Sequence, residues 1–241
     1  DASSILALQA AARMDAPSGP NTHPLTIQNL ADKLGISGRH LRRIFESQFG
    51  ISPLQYLQTR RLLTAKQLLT DTPLAISRVA DMSGFASVRS FNAAFAKHYN
   101  MNPTQLRRTG GASGALAKHN GIQVRLAYRP PYDIDALLRY LGERQMTGVD
   151  VITPEQNTFA KTMTLQQGKQ LFTGWVFARF NEINFRVDLQ VSEGLSQVLP
   201  EVITRVRALL DLDADPKAIN PALHGAFPEG DGLRVPGTLD G

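Results

Sequence analysis

The feature that most constrains the fold is a repeat. Ala31-Asp32-x-x-Gly35 returns as Ala80-Asp81-x-x-Gly84, 49 residues later. Phe45, Phe49 and Pro53 return as Phe95, Tyr99 and Pro103, each 50 residues later. The one-residue difference falls between the glycine and the helix that follows. Such self-similarity means two copies of one structural unit side by side.

Each unit has a physical reading. Ile27 to Lys33 is a short helix with Ile27, Leu30, Ala31 and Leu34 on one face. Ala31 is small, so a second helix can cross close by. Gly35 ends the helix in a conformation that costs little without a Cβ. Ile36 plugs the turn, and Ser37 is a natural N-cap for a helix over about Gly38 to Gln48. That helix is expected to bury Leu41, Ile44, Phe45 and the flank of Gln48. The pattern is a helix-turn-helix. The second copy runs through Ile76, Val79, Ala80, Gly84, Phe85, Ser87, Phe91, Ala94, Phe95 and Tyr99. The units therefore span 27–49 and 76–99. Pro53 suits a first helical turn, and Leu54, Leu57, Arg61, Ala65 and Leu68 then follow a helical period over 53–69. At ~1.5 Å per residue this connector is roughly 25 Å long. It could hold two readers near one DNA turn, ~34 Å, apart.

Charge agrees with that division. Residues 1–120 hold 14 Lys and Arg against 6 Asp and Glu; residues 121–241 hold 12 against 15, a net −3. The basic half is the candidate for nucleic acid, against the plainer reading of a basic surface without a partner. Thr109-Gly-Gly-Ala-Ser-Gly114 reads as a flexible linker, and the expected layout is a leading helix and linker over 1–24, a reader over 25–109, a linker over 110–120 and a second module over 121–241. The absence of cysteine excludes disulfides, thiolate zinc sites and cysteine nucleophiles and fits the cytoplasm. No apolar stretch reaches the ~18 residues of a membrane span. The first residues lack both a basic lead and an initiator Met, and the expectation is a segment of a longer chain.

The stretch Ile76-Ser-Arg-Val-Ala-Asp-Met-Ser-Gly-Phe-Ala-Ser-Val-Arg-Ser-Phe-Asn-Ala-Ala-Phe through Pro103-Thr-Gln-Leu-Arg107 resembles the second helix-turn-helix signature of the AraC/XylS family of transcription regulators. The resemblance covers about 25–108; a departure is Asn100, where that family often has Gly. With Leu41 at the centre of the buried face, Arg39, Arg43 and Glu46 lie opposite and Arg42 lies on the flank. Arginine forks onto guanine O6 and N7, so Arg39, Arg42 and Arg43 are candidate base readers, or else a solvated basic face. In the second unit Phe91 sets the buried face. Arg89 could read guanine, Asn92 adenine, and Val88 a thymine methyl, while Ala93 and Ala96 make this the weaker reader. Ser37, His40, Arg61, Ser87, Thr104 and Arg107 are candidates for phosphate contacts, with a structural ion pair the equal alternative for Arg61.

From Gly121 the pattern changes. Ile122, Val124, Leu126 and Tyr128 alternate as in a strand. A helix capped near Asp133 carries Ile134, Leu137, Leu138 and Leu141, then come strands at about 149–152, 158–164, 171–179 and 183–191. Val198, Val202, Val206 and Leu209-Leu210 mark a further helix. The order β-α-β-β-β-β-α predicts an α+β module with an antiparallel sheet. No catalytic set is visible: His119 and His224 are isolated, Asp211, Asp213 and Asp215 read as a solvated helix end rather than a metal loop, and Trp175 reads as core.

Tyr128-Arg-Pro-Pro-Tyr-Asp133 with Leu137-Leu138, Leu210-Asp-Leu-Asp-Ala-Asp-Pro216 and Gly232-Leu-Arg-Val-Pro-Gly-Thr-Leu-Asp-Gly241 resemble the start of the AlkA family, DNA-3-methyladenine glycosylase II. The resemblance implies a TATA-box-protein-like domain over about 121–241. That family's helix-hairpin-helix and catalytic Asp lie in a following domain, and Asp240 is too early to be that Asp. The combination resembles Ada–AlkA fusion proteins, in which a Cys₄-zinc methyl-acceptor domain precedes the reader. It implies a regulator in the response to DNA alkylation that binds double-stranded DNA as a monomer, with RNA polymerase as protein partner. It assigns no catalytic residue, metal or cofactor to this chain. The alternatives are a glycosylase segment whose reader delivers the enzyme to DNA, and an AraC-type metabolic regulator with an unrelated effector domain.

Overall fold

A computed structural model describes residues 2–15, 25–109 and 121–239. The chain folds as two compact units, Asp1–Gly114 and Ala115–Gly241. The expected linkers, His119 and Asp240 lie outside the described residues.

In the first unit the helices are α1 Ala2–Asp15, α2 Ile27–Lys33, α3 Gly38–Phe49, α4 Pro53–Asp71, α5 Ile76–Met82, α6 Val88–Tyr99 and α7 Pro103–Thr109. The repeat holds at the level of single hydrogen bonds. The Gly35 and Ile36 amides donate to Asp32 and Ala31 carbonyls at 3.1 Å, and the Gly84 and Phe85 amides donate to Asp81 and Ala80 at 2.9 and 3.0 Å. Gly35 and Gly84 have φ of 68° and 78°, the left-handed region where a Cβ is costly. Asn100 takes the corresponding place of Gly50, with φ of 53° against 71°; asparagine tolerates that region, so the departure from Gly changes no backbone.

The first core joins Ala10, Ala11 and Met14 of α1 to Leu30, Ala31, Leu41, Phe45 and Leu57. The leading helix is thus part of the reader's packing. Asp15 at its end pairs with Arg60 at 2.7 Å and accepts from the Tyr56 hydroxyl at 3.0 Å. Two packing expectations change. Gln48 is exposed, and Phe49 instead lies 4.5 Å from Phe45 and 5.8 Å from Tyr56 between ring centroids. Leu54 is 62% exposed, and α4 buries Leu57, Leu62, Ala65, Leu68 and Leu69. With 19 residues α4 is about 28 Å long.

The second unit contains β1 Ile122–Ala127, α8 Ile134–Glu143, β2 Asp150–Thr153, β3 Thr158–Gln167, β4 Gln170–Asn181, β5 Arg186–Val191, α9 Leu199–Leu209 and α10 Pro216–Leu223. The five strands form one antiparallel sheet in the order β1-β5-β4-β3-β2. The expected succession of strands and helices is borne out, with α10 added. Alternate strand residues make one face apolar and buried: Val124 and Leu126, Phe159 and Met163, Phe172, Val176, Ala178 and Phe180, and Val187, Leu189 and Val191. Helices α8 and α9 bury Leu137, Leu138, Val202, Ile203 and Val206.

The stretches that carry the AlkA resemblance meet in one clasp. Arg234 donates to the carbonyls of Arg129 and Pro131 at 2.7 and 2.8 Å and covers the Tyr132 ring at 4.4 Å. The Tyr132 hydroxyl donates to the Leu210 carbonyl at 2.5 Å. The aspartates expected at a solvated helix end have structural tasks: Asp211 accepts from the Val235 amide, Asp213 pairs with Arg207, and Asp215 caps α10. His224 is not isolated, since its Nδ1 lies 3.4 Å from Asp231.

Trp175 is the main correction in this unit. It is 37% exposed, pointing with Phe177 from the face opposite Val176 and Ala178.

Candidate nucleic-acid interface

Helix α3 begins where Ser37 accepts a hydrogen bond from the His40 amide at 3.2 Å, which satisfies one orphan donor of the first turn. Leu41, Ile44 and Phe45 bury one side. That leaves Arg39, Arg42 and Arg43 exposed along the other. They differ in freedom. Arg42 is held by Glu46 at 2.8 Å, and this hydrogen bond and charge raise its pKa further. Arg43 lies 3.2 Å from His40 Nδ1. Arg39 makes no hydrogen bond or ion pair with a described residue.

Helix α6 repeats the arrangement with a reciprocal cap: Ser87 accepts from the Ser90 amide at 3.1 Å, and Ser90 accepts from the Ser87 amide at 3.3 Å. Phe91 and Phe95 are buried, and Val88, Arg89, Asn92, Ala93 and Ala96 are exposed. A hollow of about 690 Å³ opens between this exposed face and α7, lined by Asn92, Ala93, Ala96, Thr104 and Arg108 among others. The structure thus brings Asn92 and Thr104 to one surface and adds Arg108, which sequence reasoning passed over. Its signal was present: it is exposed beside Arg107, whose side chain turns the other way.

Two expected phosphate ligands are placed inward. Arg61 is half-buried and donates to the Leu25 carbonyl at 2.9 Å, just ahead of α2. Arg107 is half-buried and donates to the Leu74 carbonyl, just ahead of α5. Burial lowers the pKa of both guanidinium groups. The ion pair weighed for Arg61 is replaced by this backbone contact. Each residue anchors the strand of chain that leads into its unit.

The geometry is that of two capped helices with exposed polar faces, each set against a short helix, and linked by one long helix. This is the class of double helix-turn-helix readers. The family model described as "Helix-turn-helix domain" matches residues 30–109, and that described as "AlkA N-terminal domain" matches residues 123–240. The chain is similar, at 29% identity over 222 residues, to the Mycobacterium tuberculosis protein "Probable bifunctional transcriptional activator/DNA repair enzyme AlkA", covering 89% of this chain and 43% of the relative. It is 37% identical over 86 residues to "Probable transcription factor PqrA" of Proteus vulgaris, covering 36% of this chain and 70% of the relative. The C-terminal domain of AraT, a response regulator from Geobacillus stearothermophilus, aligns with a TM-score of 0.42 and 29% identity over 47% of this chain and 93% of that one. By the helix-turn-helix family model and the likeness to PqrA, the first half belongs to the AraC-type helix-turn-helix family of DNA-binding domains. The chain joins it to an AlkA N-terminal domain, and spans less than half the length of the mycobacterial relative.

Proposed function

We propose that this chain is the DNA-reading segment of a regulator of alkylation-damage repair, joined to the opening domain of a glycosylase. The supporting observation is the succession, on one chain, of an AraC-type reader and an AlkA N-terminal domain, as in the mycobacterial relative named a transcriptional activator and DNA repair enzyme. In this reading α3 and α6 enter successive major-groove segments on one face of double-stranded DNA. Arg39 and Arg43 read bases in one segment, with Arg42 steadied beside them by Glu46. Arg89, Asn92 and Val88 read the other. Ser37, His40, Ser87, Thr104 and Arg108 contact phosphates, which fix register without specifying sequence. One chain occupies one site, in the cytoplasm, and RNA polymerase is the protein it recruits. Base excision belongs to a domain beyond residue 241, and a zinc-held methyl acceptor, where the longer protein has one, precedes the reader. The 241-residue chain alone should therefore release no 3-methyladenine from methylated DNA above a blank.

The test is selection from randomised duplex sites. Arg39→Ala and Arg89→Ala should each relax preference at one position, by about 1–3 kcal/mol, in segments about one DNA turn apart. The costs should add, since well-separated contacts share no partner. Changes at the same base pairs, or none, would refute the two-reader arrangement.

A further inference from the structure

Apart from the reader, the second unit has an open sheet face whose chemistry the reading above leaves unused. Along the central strand β4, Trp175 and Phe177 both point to this face. Their neighbours in register are small or polar: Thr162 beside Trp175, and Ala160 and Gln190 beside Phe177. The result is a hollow of about 500 Å³ walled by Val149, Val151, Ala160, Thr162, Trp175 and Phe177. That volume is in the range of ligand pockets. An antiparallel sheet with a solvated face usually presents polar residues there. Here Trp175 and Phe177, in the middle of β4, are turned outward, and the smaller Val176 and Ala178 beside them inward.

The charges on the face are unbalanced. The second half as a whole is acidic, but the outward strand positions carry Arg125, Arg179 and Arg186 against Asp188 as their acid, among the described residues. Asp188 pairs with Arg186 at 2.9 Å. Arg179 forms no ion pair with a described residue, and its guanidinium lies 6.0 Å from the Phe177 ring centroid. The arginine row Arg179–Asp188–Arg125 runs across the sheet one outward position beyond Phe177, about 7 Å along the strand. Aromatic rings beside a cationic row, with the amide groups of Gln190 and Gln123 in register with Phe177, suit a chain of planar bases on an anionic backbone. A duplex hides its base faces by stacking, so the matching form is unpaired. The same polypeptide carries a duplex reader, which raises the local concentration of nucleic acid.

We propose that this face is a second nucleic-acid site that binds single-stranded DNA, with bases stacked on Trp175 and Phe177 and phosphates held by Arg179 and Arg125. It is independent of the helix-turn-helix reading.

Trp175 is the chain's single tryptophan, so its emission reports this face alone. Titrating a short oligo-deoxythymidylate into the 241-residue chain should quench it saturably, with affinity falling as salt rises. Phe177→Leu should weaken binding roughly five-fold or more, as loss of one stacking ring does. Arg179→Gln, a change at an exposed position whose circular dichroism should match that of the unsubstituted chain, should weaken it and flatten the salt dependence. Arg39→Ala should leave the quenching unchanged while impairing duplex binding, so this site and the reader fail separately. Unaltered Trp175 emission with the oligonucleotide, or binding by the Arg179→Gln and Phe177→Leu chains as tight as that of the unsubstituted chain, would overturn the proposal. Concentration-dependent self-association lost in Phe177→Leu, without quenching by the oligonucleotide, would assign the face to a second copy instead.

Discussion

Gly174→Ala should cost the second unit about 1–5 kcal/mol, and the structure supplies the parts of that figure. A Cβ built at Gly174 would lie 2.1 Å from Ser192 Oγ and 2.9 Å from Leu195 Cγ. Neither neighbour can retreat into solvent, since Leu195 is fully buried and Ser192 is buried. The Ser192 hydroxyl also accepts a hydrogen bond from the Trp175 amide at 2.9 Å. Moving it aside leaves that amide without its partner, at about 1–3 kcal/mol. Forcing one carbon into a packed site costs about 1–3 kcal/mol more. Alanine recovers about 0.4–1 kcal/mol by restricting the unfolded chain. The net is a large share of a stability that for most domains is about 5–15 kcal/mol. Urea unfolding followed by Trp175 emission isolates this unit; the midpoint should fall with the slope unchanged. On a Ser192→Ala background the nearest clash is gone, so Gly174→Ala should cost at least about 1 kcal/mol less than in the wild type. A neutral Gly174→Ala, or strict additivity with Ser192→Ala, would show that the close approach of β4 to the turn after β5 has been misjudged.

Arg61→Ala should lower the stability of the first unit by about 1–3 kcal/mol, because the Leu25 carbonyl loses its donor, yet leave the slope of log affinity against log salt unchanged; a slope smaller by about 0.9 would return Arg61 to the phosphate backbone. Tyr132 has its phenol pKa raised, first by burial, so above the ordinary tyrosine value the folded chain keeps a proton the unfolded chain releases. Stability from this group is complete below pH ~10 and falls as pH rises above it; a Tyr132→Phe chain should lose less stability over that alkaline range, and equal losses in both would refute the assignment.

The reader was legible because its turn makes demands that few residues meet. A left-handed glycine, a capping serine three residues before the amide it binds, and a phenylalanine eight residues after that serine leave a recognisable spacing, and the second copy removes coincidence. The fate of individual arginines was not legible. Arg61 and Arg107 sit on helix flanks, where period alone permits either direction. Their partners, Leu25 and Leu74, are 36 and 33 residues away and become neighbours only after folding. The sheet was readable from alternation, but alternation names two faces without saying which is buried. A tryptophan in a strand reads as core, whereas the buried set of β4 is Phe172, Val176, Ala178 and Phe180. The three aspartates after α9 read as a polar end, although Asp213 and Asp215 have partners nearby in the chain, Arg207 and the Lys217 amide; only the partner of Asp211, the Val235 amide 24 residues on, is supplied by tertiary packing.

The inward arginines bear on how such readers can diversify. Each unit's leading segment is held by a residue of the helix that follows it, Arg61 from α4 and Arg107 from α7. Helix α4 also packs against α1, α3, α5 and α7, so it serves both units at once. A cut made at Pro53 would take from the first unit the arginine that closes it, and a cut made after Asp71 would take from the second the helix it rests on. The two readers are therefore not interchangeable cassettes. New operator preferences can be grafted by exchanging the exposed residues of α3 or α6, while exchange of whole units between related chains must carry the connecting helix with it.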